Sequence, residues 1–248
     1  MRAEPPIYTR TPAEGRNSLL EVQASSHGRP DAAIADLVVT AQTGPLHLRI
    51  IRSRYASSSC PVVLYFHGSG WVLGDMNTHD SLVRELAVRG DAAIVFVDYD
   101  RAPEHPYPMA IEQAYAALLY VRQNAREMGL DRDRIAVAGE SSGGNIATVL
   151  ALMTKERSGP ALAGQLLLYP TTDCDTASFA TFANRPWRRE RQWSGSGTSI
   201  FLITAKDVIR MPRRSWPLWI SYPVCHAHSS SPPSTTSCVT RGKRTDED

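Results

Sequence analysis

The sequence of 248 residues has few cysteines, little excess charge and no long apolar run, and each of these excludes a class of protein. The four cysteines, Cys60, Cys174, Cys225 and Cys238, lie far apart, without the C-x-x-C spacing of a zinc site. Free thiols are therefore favoured over disulfides. The formal net charge of +2 indicates no particular partner. No run of about 18 apolar residues is present to cross a membrane.

The amino terminus is not expected to be a secretory signal peptide. Residues Met1–Tyr8 include charged residues and two prolines but no apolar h-region, which favours a cytoplasmic protein over a secreted one. Hydrophobic residues make up 42% of the chain and charged residues 21%. These proportions are typical of a globular protein, and the length suits one large α/β domain.

Short apolar segments alternate with amphipathic ones along most of the chain. The pattern predicts strands at residues 34–40, 46–51, 61–66, 92–98, 135–138 and 165–170. It predicts helices at residues 81–89, 110–128 and 145–153. Because strands and helices alternate between residues 61 and 170, the fold class is α/β, with a mostly parallel sheet and flanking helices.

The segment from Ile135 to Met153 has the pattern of a strand, a sharp turn and a helix. At the turn lies Gly139-Glu-Ser-Ser-Gly143, which fits the G-x-S-x-G pattern of a nucleophile elbow. Such a turn needs residues nearly free of side chains two positions before and after the serine, and glycine meets that need. Ser141 is therefore the candidate nucleophile.

A second glycine-containing loop, His67-Gly-Ser-Gly-Trp71, follows the strand predicted at residues 61–66. A phosphate-binding loop is disfavoured because no G-K-[ST] follows. A plain glycine turn is the alternative without chemistry. The loop fits better as an oxyanion hole, in which backbone N–H groups stabilise the tetrahedral intermediate of acyl transfer. The candidate donors are Gly68, Ser69 and Ser142, the last being the residue after the nucleophile.

Several stretches in this order resemble the hormone-sensitive-lipase-like serine esterases, also called the GDXG lipolytic family. Residues 67–71 resemble its H-G-G-G-[WF] motif. Residues 98–108, Asp-Tyr-Asp-Arg-Ala-Pro-Glu-His-Pro-Tyr-Pro, resemble D-Y-R-L-A-P-E-H-P-F-P. Residues 139–144 resemble G-D-S-A-G-G, and residues 166–170 resemble the strand that follows. Three departures concern the site: Ser69 replaces a glycine, Glu140 an aspartate and Ser142 an alanine.

The resemblance implies an α/β-hydrolase fold, with no cofactor and no metal. It implies a serine carboxylesterase or acetyl-hydrolase that cleaves small acyl esters, or N-acetyl bonds, through an acyl-enzyme on Ser141. His67 and Gly70 would complete the oxyanion motif. The expected partner is a small acyl or acetyl substrate, with no nucleic acid and no membrane. The predicted regions are a cap-like segment at 1–33, a hydrolase core at 34–187 and a non-matching tail at 188–248.

The triad acid and base are not evident. In this fold they follow the serine in the chain, and the only histidines there are His226 and His228. Asp207 is a weak candidate acid because it lies too close to the serine, and the family's own acid and histidine segments are missing. The alternative function is therefore a catalytically impaired binding protein on a hydrolase scaffold. A basic-tailed interaction protein is a further alternative.

The tail favours one explanation of this gap, a shifted reading frame. When residues 188–203 are back-translated and read one base out of phase, they can decode as a sequence that resembles the family's continuation. Residues 229–243 can decode in the same frame as the missing acid motif, with its aspartate across Thr235 and Thr236. We expect sequencing of the gene across codons 180–250 to reveal a single-base slip. A reading frame that no such slip restores to the family's ending would contradict this hypothesis.

Overall fold

The computed structural model describes residues 10–24 and 28–172, which form one sheet with helices around it. In chain order the elements are α1 (Pro12–Ala24), β1 (Ala33–Ala41), β2 (Gly44–Arg52), β3 (Cys60–Phe66), α2 (Asp80–Gly90), β4 (Ala93–Asp98), α3 (Met109–Asn124), β5 (Leu130–Glu140), α4 (Ser142–Glu156) and β6 (Gly164–Leu168). The strand order in the sheet is β1-β2-β4-β3-β5-β6. The α/β fold expected from the sequence is confirmed.

The directions of the strands decide where the two motifs meet. The hairpin β1–β2 is antiparallel, and β2 also pairs antiparallel with β4. In contrast, β4, β3, β5 and β6 run parallel to one another. The last residue of β3, Phe66, pairs with Gly139 near the end of β5. The loop that begins at His67 therefore lies beside the turn that carries Ser141.

The core lies at the centre of the sheet, in β3 and β4. All residues of β4 from Ala93 to Val97 are buried, as are Leu64, Tyr65 and Phe66 of β3. The sequence shows these strands as continuous apolar runs because helices cover both faces of a parallel sheet. Here α2 packs against β2 and β4, while α4 packs against β3, β5 and β6.

Two boundaries differ from the sequence-based prediction by four or more residues. The helix predicted over residues 110–128 ends at Asn124, and the strand predicted from residue 135 begins at Leu130. The chain turns between them, where Leu130 donates its N–H to the Ala125 carbonyl at 2.8 Å and Gly129 has a φ of 67°. Residues 131–134 are all charged, so the first part of β5 carries no apolar signal.

The carboxyl group of Asp98, at the end of β4, lies in a poorly solvated position. Among the described residues its Oδ1 atom has no hydrogen-bond partner. Burial raises the pKa of Asp98 to about 6, despite the opposing charge of Arg101. The folded protein therefore keeps a proton on Asp98 in a pH range where the unfolded chain, with a value near 3.8, has lost it.

We expect the free energy of unfolding to fall by roughly 1–3 kcal/mol between pH 4 and pH 7 because of this group, since stability decreases wherever the folded state binds the extra proton. In Asp98→Asn that contribution should be absent. Urea unfolding at a series of pH values would measure it, with Asp91→Asn as an exposed control. The same pH slope in wild type and Asp98→Asn would contradict the prediction.

Candidate active site

Ser141 lies on a strained turn between β5 and α4. Its φ of 52° and ψ of −118° are unfavourable for any residue other than glycine. Three backbone hydrogen bonds hold it there. The Ser141 N–H donates to the Leu168 carbonyl at 3.0 Å, and its own carbonyl accepts from Asn145 at 3.1 Å and from Thr171 at 3.0 Å. Ser141 itself is half-buried, so the residue is held at the end of the sheet and remains partly exposed to solvent.

The two glycines of the elbow are required by close backbone contacts. A Cβ atom on Gly143 would overlap the Phe66 carbonyl oxygen and lie 2.6 Å from that of His67. A Cβ atom on Gly139 would overlap the backbone of Gly143 and lie 2.7 Å from the Phe66 oxygen. Real side chains do not tolerate such distances. The elbow can therefore pack against the end of β3 only when both positions are glycine.

The loop after β3 has an unusual backbone. Ser69, Gly70 and Trp71 have φ angles of 75°, 69° and 61°, so three consecutive residues are left-handed. Left-handed conformations cost a non-glycine residue roughly 1–2 kcal/mol each. Burial of the Trp71 side chain offsets part of this cost. The Trp71 carbonyl also accepts the N–H of Ala102 at 3.0 Å, which joins this loop to the one after β4.

The predicted oxyanion donors differ in availability. The Gly68 N–H donates to Glu140 Oε1 at 2.5 Å, so this amide is already used within the protein. The Ser69 amide has no hydrogen-bond partner within the part of the chain that the structure describes. Ser142 is the first residue of α4, where an amide has no helical carbonyl to bond. Two of the three predicted amides, those of Ser69 and Ser142, thus make no hydrogen bond within the part of the chain that the structure describes.

Ser142 also joins the elbow to the loop through its side chain. Its Oγ accepts the N–H of Gly70 at 3.0 Å and that of Trp71 at 3.3 Å. An alanine, the residue that the family motif has here, could not make either bond. The amide of Gly70 is thereby turned toward the elbow rather than toward a ligand.

Glu140 is a buried carboxylate next to the candidate nucleophile. Its Oε1 lies 2.9 Å from His79 Nε2 and accepts the Gly68 N–H, while its Oε2 accepts a short hydrogen bond from the Tyr65 hydroxyl. Burial acts to raise the pKa of Glu140. The hydrogen bond and charge of His79, followed by the bonds from Tyr65 and Gly68, outweigh burial and lower the pKa overall. Glu140 is therefore ionised at neutral pH.

His67 is an internal, neutral residue. Its ring stacks on Tyr99 with centroids 4.3 Å apart and on Phe96 at 5.6 Å. Burial, together with the neighbouring His79, lowers the pKa of His67 to about 3. The Tyr99 hydroxyl donates to the His67 carbonyl at 2.9 Å. This packing fixes the start of the loop and leaves His67 outside any proton transfer at neutral pH.

Helix α1 is attached to the loops around the site by one arginine. It begins with a capping box, in which Thr11 and Glu14 exchange hydrogen bonds. Arg16 donates to the Val72 carbonyl at 2.8 Å and to the Ala102 carbonyl at 3.0 Å, and it forms a bidentate ion pair with Glu104. The amino-terminal helix thus contacts the chain directly after the loop of residues 67–71. The cap-like role of residues 1–33 stays a prediction.

The predicted triad partners, Asp207, His226 and His228, lie outside the described residues, as does the proposed frame-shifted region. Within residues 10–24 and 28–172, no group of three or more His, Cys, Asp or Glu side chains could hold a metal ion. Cys60 is a buried free thiol. None of the helices in these ranges has the length and apolar character needed to span a membrane.

Comparison with known proteins identifies the family. A profile of the alpha/beta hydrolase fold matches residues 63–217, more than half of the chain. The chain therefore belongs to the α/β-hydrolase family, which confirms the family expected from the motifs. The match also runs past residue 187, where the resemblance was expected to stop.

Relatives and solved structures agree with this assignment. The esterase LipI of Mycobacterium tuberculosis is 46% identical over 165 residues, which cover 63% of this chain and 50% of LipI. A carboxylesterase of the same organism is 52% identical over 128 residues, 51% of this chain and 40% of that protein. A thermostable esterase from Pseudomonas putida superposes with a TM-score of 0.77 at 38% identity, covering 83% of this chain and 65% of that one. The chain thus spans about half the length of these relatives.

The sequence gives no indication that His79 contacts Glu140. Its contact with Glu140 joins positions 61 residues apart, and neither residue has a local pattern that indicates the other. Tyr65 was identified only as part of a buried strand. The one available signal was Glu140 itself, because a carboxylate between a buried strand and a buried helix needs partners.

The close contact at Gly143 makes a prediction about stability. We expect Gly143→Ala to lower the free energy of unfolding by about 1–3 kcal/mol or more, because a methyl group there meets two carbonyl oxygens. Gly90→Ala is the matched control, since nothing lies within 4 Å of a Cβ atom built on Gly90. Thermal and urea unfolding would compare the two variants. Equal stability would show that the elbow does not pack against β3 in this way.

Proposed function

We propose that the protein is a serine carboxylesterase for small acyl esters, above all acetyl esters, acting through an acyl-enzyme on Ser141. The observation that carries the proposal is the strained elbow at Ser141 beside a loop with an available amide at Ser69. The names of the relatives, esterase and carboxylesterase, support the same reaction class. The N–H groups of Ser69 and Ser142 are the proposed oxyanion donors.

In the proposed reaction the Ser141 hydroxyl attacks the ester carbonyl carbon while its proton passes to a general base. The carbonyl oxygen becomes an oxyanion, which accepts hydrogen bonds from the two amides. The intermediate collapses, the C–O bond to the alcohol breaks, and the alkoxide takes the proton from the base. Water then attacks the acyl-enzyme by the same steps and releases the acid.

The general base and its carboxylate are the part of this mechanism that the described residues do not supply. Asp207 with His226 or His228 stays a prediction for these roles. A serine that lacks both partners retains only a residual acceleration of about 10³–10⁴-fold from the oxyanion hole and substrate binding. For this chain as it is written, we therefore expect slow hydrolysis of p-nitrophenyl acetate rather than ordinary enzyme rates.

The nucleophile can be tested by covalent labelling. We expect a fluorophosphonate to phosphonylate the purified protein slowly, with loss of fluoride, because the oxyanion amides stabilise the charge that develops on the phosphoryl oxygen even where the serine lacks its base. Intact-mass spectrometry should show the label in wild type and in Ser58→Ala, an exposed control, but not in Ser141→Ala. An unlabelled wild type, or a label that persists in Ser141→Ala, would rule out the proposed function.

The acyl preference can be tested on the same protein. With p-nitrophenyl esters from acetate to octanoate, we expect kcat/KM to be highest for the shortest acyl chains and to fall as the chain lengthens. The Ser141→Ala rate measures the background for each ester. A maximum at octanoate would contradict the preference for small acyl groups while leaving the esterase reaction intact.

A further inference from the structure

The contacts of Glu140 are all with hydrogen-bond donors. Oε1 lies against the Gly68 N–H and His79 Nε2, and Oε2 lies against the Tyr65 hydroxyl. The Gly68 amide can only donate, and the phenol and the imidazole can donate as well, so an ionised Glu140 can accept from all three. Because Gly68 is bound to this carboxylate, the direction of its amide, and hence the position of the next residue, depends on where Glu140 is held.

His79 is the one partner of Glu140 named above that comes from the segment before α2. It precedes α2, and its side chain is only 13% exposed. On its other edge, Nδ1 lies 2.9 Å from Thr78 Oγ1 and 3.3 Å from the Asp75 carbonyl. The backbone at Gly74 closes over the ring, since a Cβ atom there would lie 3.1 Å from His79 Cε1. The imidazole is thus fixed on both edges.

We infer that His79 is a positioning residue for the oxyanion loop and acts through Glu140. The connection runs from His79 Nε2 to the carboxylate, from the carboxylate to the Gly68 amide, and from Gly68 to the adjoining amide of Ser69. His79 itself would not contact the substrate. The inference rests on the proposed function for its kinetic consequence, but the connection to Gly68 can be tested without any activity.

The test follows the Gly68 amide by NMR. Only two His–Gly pairs occur in the sequence, His27-Gly28 and His67-Gly68. Carbonyl-¹³C histidine combined with ¹⁵N glycine therefore selects two amide signals, and exposed Gly28 is the internal reference. We expect the Gly68 proton signal to lie downfield and to move upfield in Glu140→Gln, because an amide oxygen is a weaker acceptor than a carboxylate.

The effect of His79 appears in the titration of that signal. Since His79 lowers the pKa of Glu140, its loss in His79→Leu should move the titration of the Gly68 signal to higher pH. In His79→Gln, which keeps a side-chain donor, the shift should be smaller, and in His47→Gln, an exposed control on β2, it should be absent. The titratable groups that face Glu140 from the surrounding elements, and that stay the same in these variants, are Tyr65, His67, Tyr99 and Tyr169.

The kinetic arm measures the rate at which fluorophosphonate labels Ser141. Removal of one oxyanion donor costs about 10²–10³-fold, and displacement of the loop should cost less. We expect His79→Leu to lower the labelling rate about 10–100-fold, with the change in the rate constant of inactivation rather than in the affinity for the reagent, and His79→Gln to recover most of it. His47→Gln should match wild type.

The outcomes separate the two proposals. An unlabelled wild type would end the esterase proposal, whereas the Gly68 signal would still report on His79. Gly68 titrations that superimpose in wild type and His79→Leu would overturn the inference, as would a labelling rate that His79→Leu leaves unchanged. If His79→Leu does not fold, the inference is tested with His79→Gln and Glu140→Gln instead. A Gly68 signal that is unchanged in both variants would overturn the inference.

Discussion

The structure depends on one close approach, that of the Gly143 backbone to the carbonyl oxygens of Phe66 and His67. At this contact the start of α4 packs directly against the end of β3, and no side chain fits between them. Since β3 and β5 are neighbouring parallel strands, their carboxyl ends already lie at the same edge of the sheet. The glycine contact turns this general proximity into a fixed arrangement, in which Ser141 follows β5 and the loop of residues 67–71 follows β3.

A buried negative charge beside a nucleophilic serine needs an explanation, because an anion disfavours the growth of a second negative charge nearby. Glu140 is such an anion. Its two oxygens accept from a backbone amide, a phenol and an imidazole, and these donors spread the charge away from the elbow. Neighbouring His67 is kept neutral by burial. The electrostatics of the site are thus set by Glu140 and His79 rather than by His67, although His67 belongs to the sequence motif.

The sequence could predict whatever depends on local pattern. The apolar runs placed β3 and β4 to within one residue, and the glycine spacing around residue 141 indicated the elbow. The boundaries of α3 and β5 could not be found, because the four charged residues at 131–134 carry no strand periodicity. Side-chain contacts were the other gap. The hydrogen bond from Gly68 to Glu140 joins the end of β5 to the loop after the neighbouring strand β3. The local sequence around either residue does not indicate this bond.

The departures from the family motifs are related to one another in space. Ser69 occupies a left-handed position where the motif has glycine, at a cost of about 1–2 kcal/mol. Glu140 and Ser142 bind the residues on either side of it, Gly68 through the carboxylate and Gly70 through the hydroxyl. A hydrogen bond to a charged group contributes about 1.5–3 kcal/mol and a neutral one about 1, so the two bonds together can offset the strain at Ser69. On this argument Ser69 is tolerated because Glu140 and Ser142 bind its two neighbours, and an alanine at position 142 would remove the hydrogen bond to Gly70.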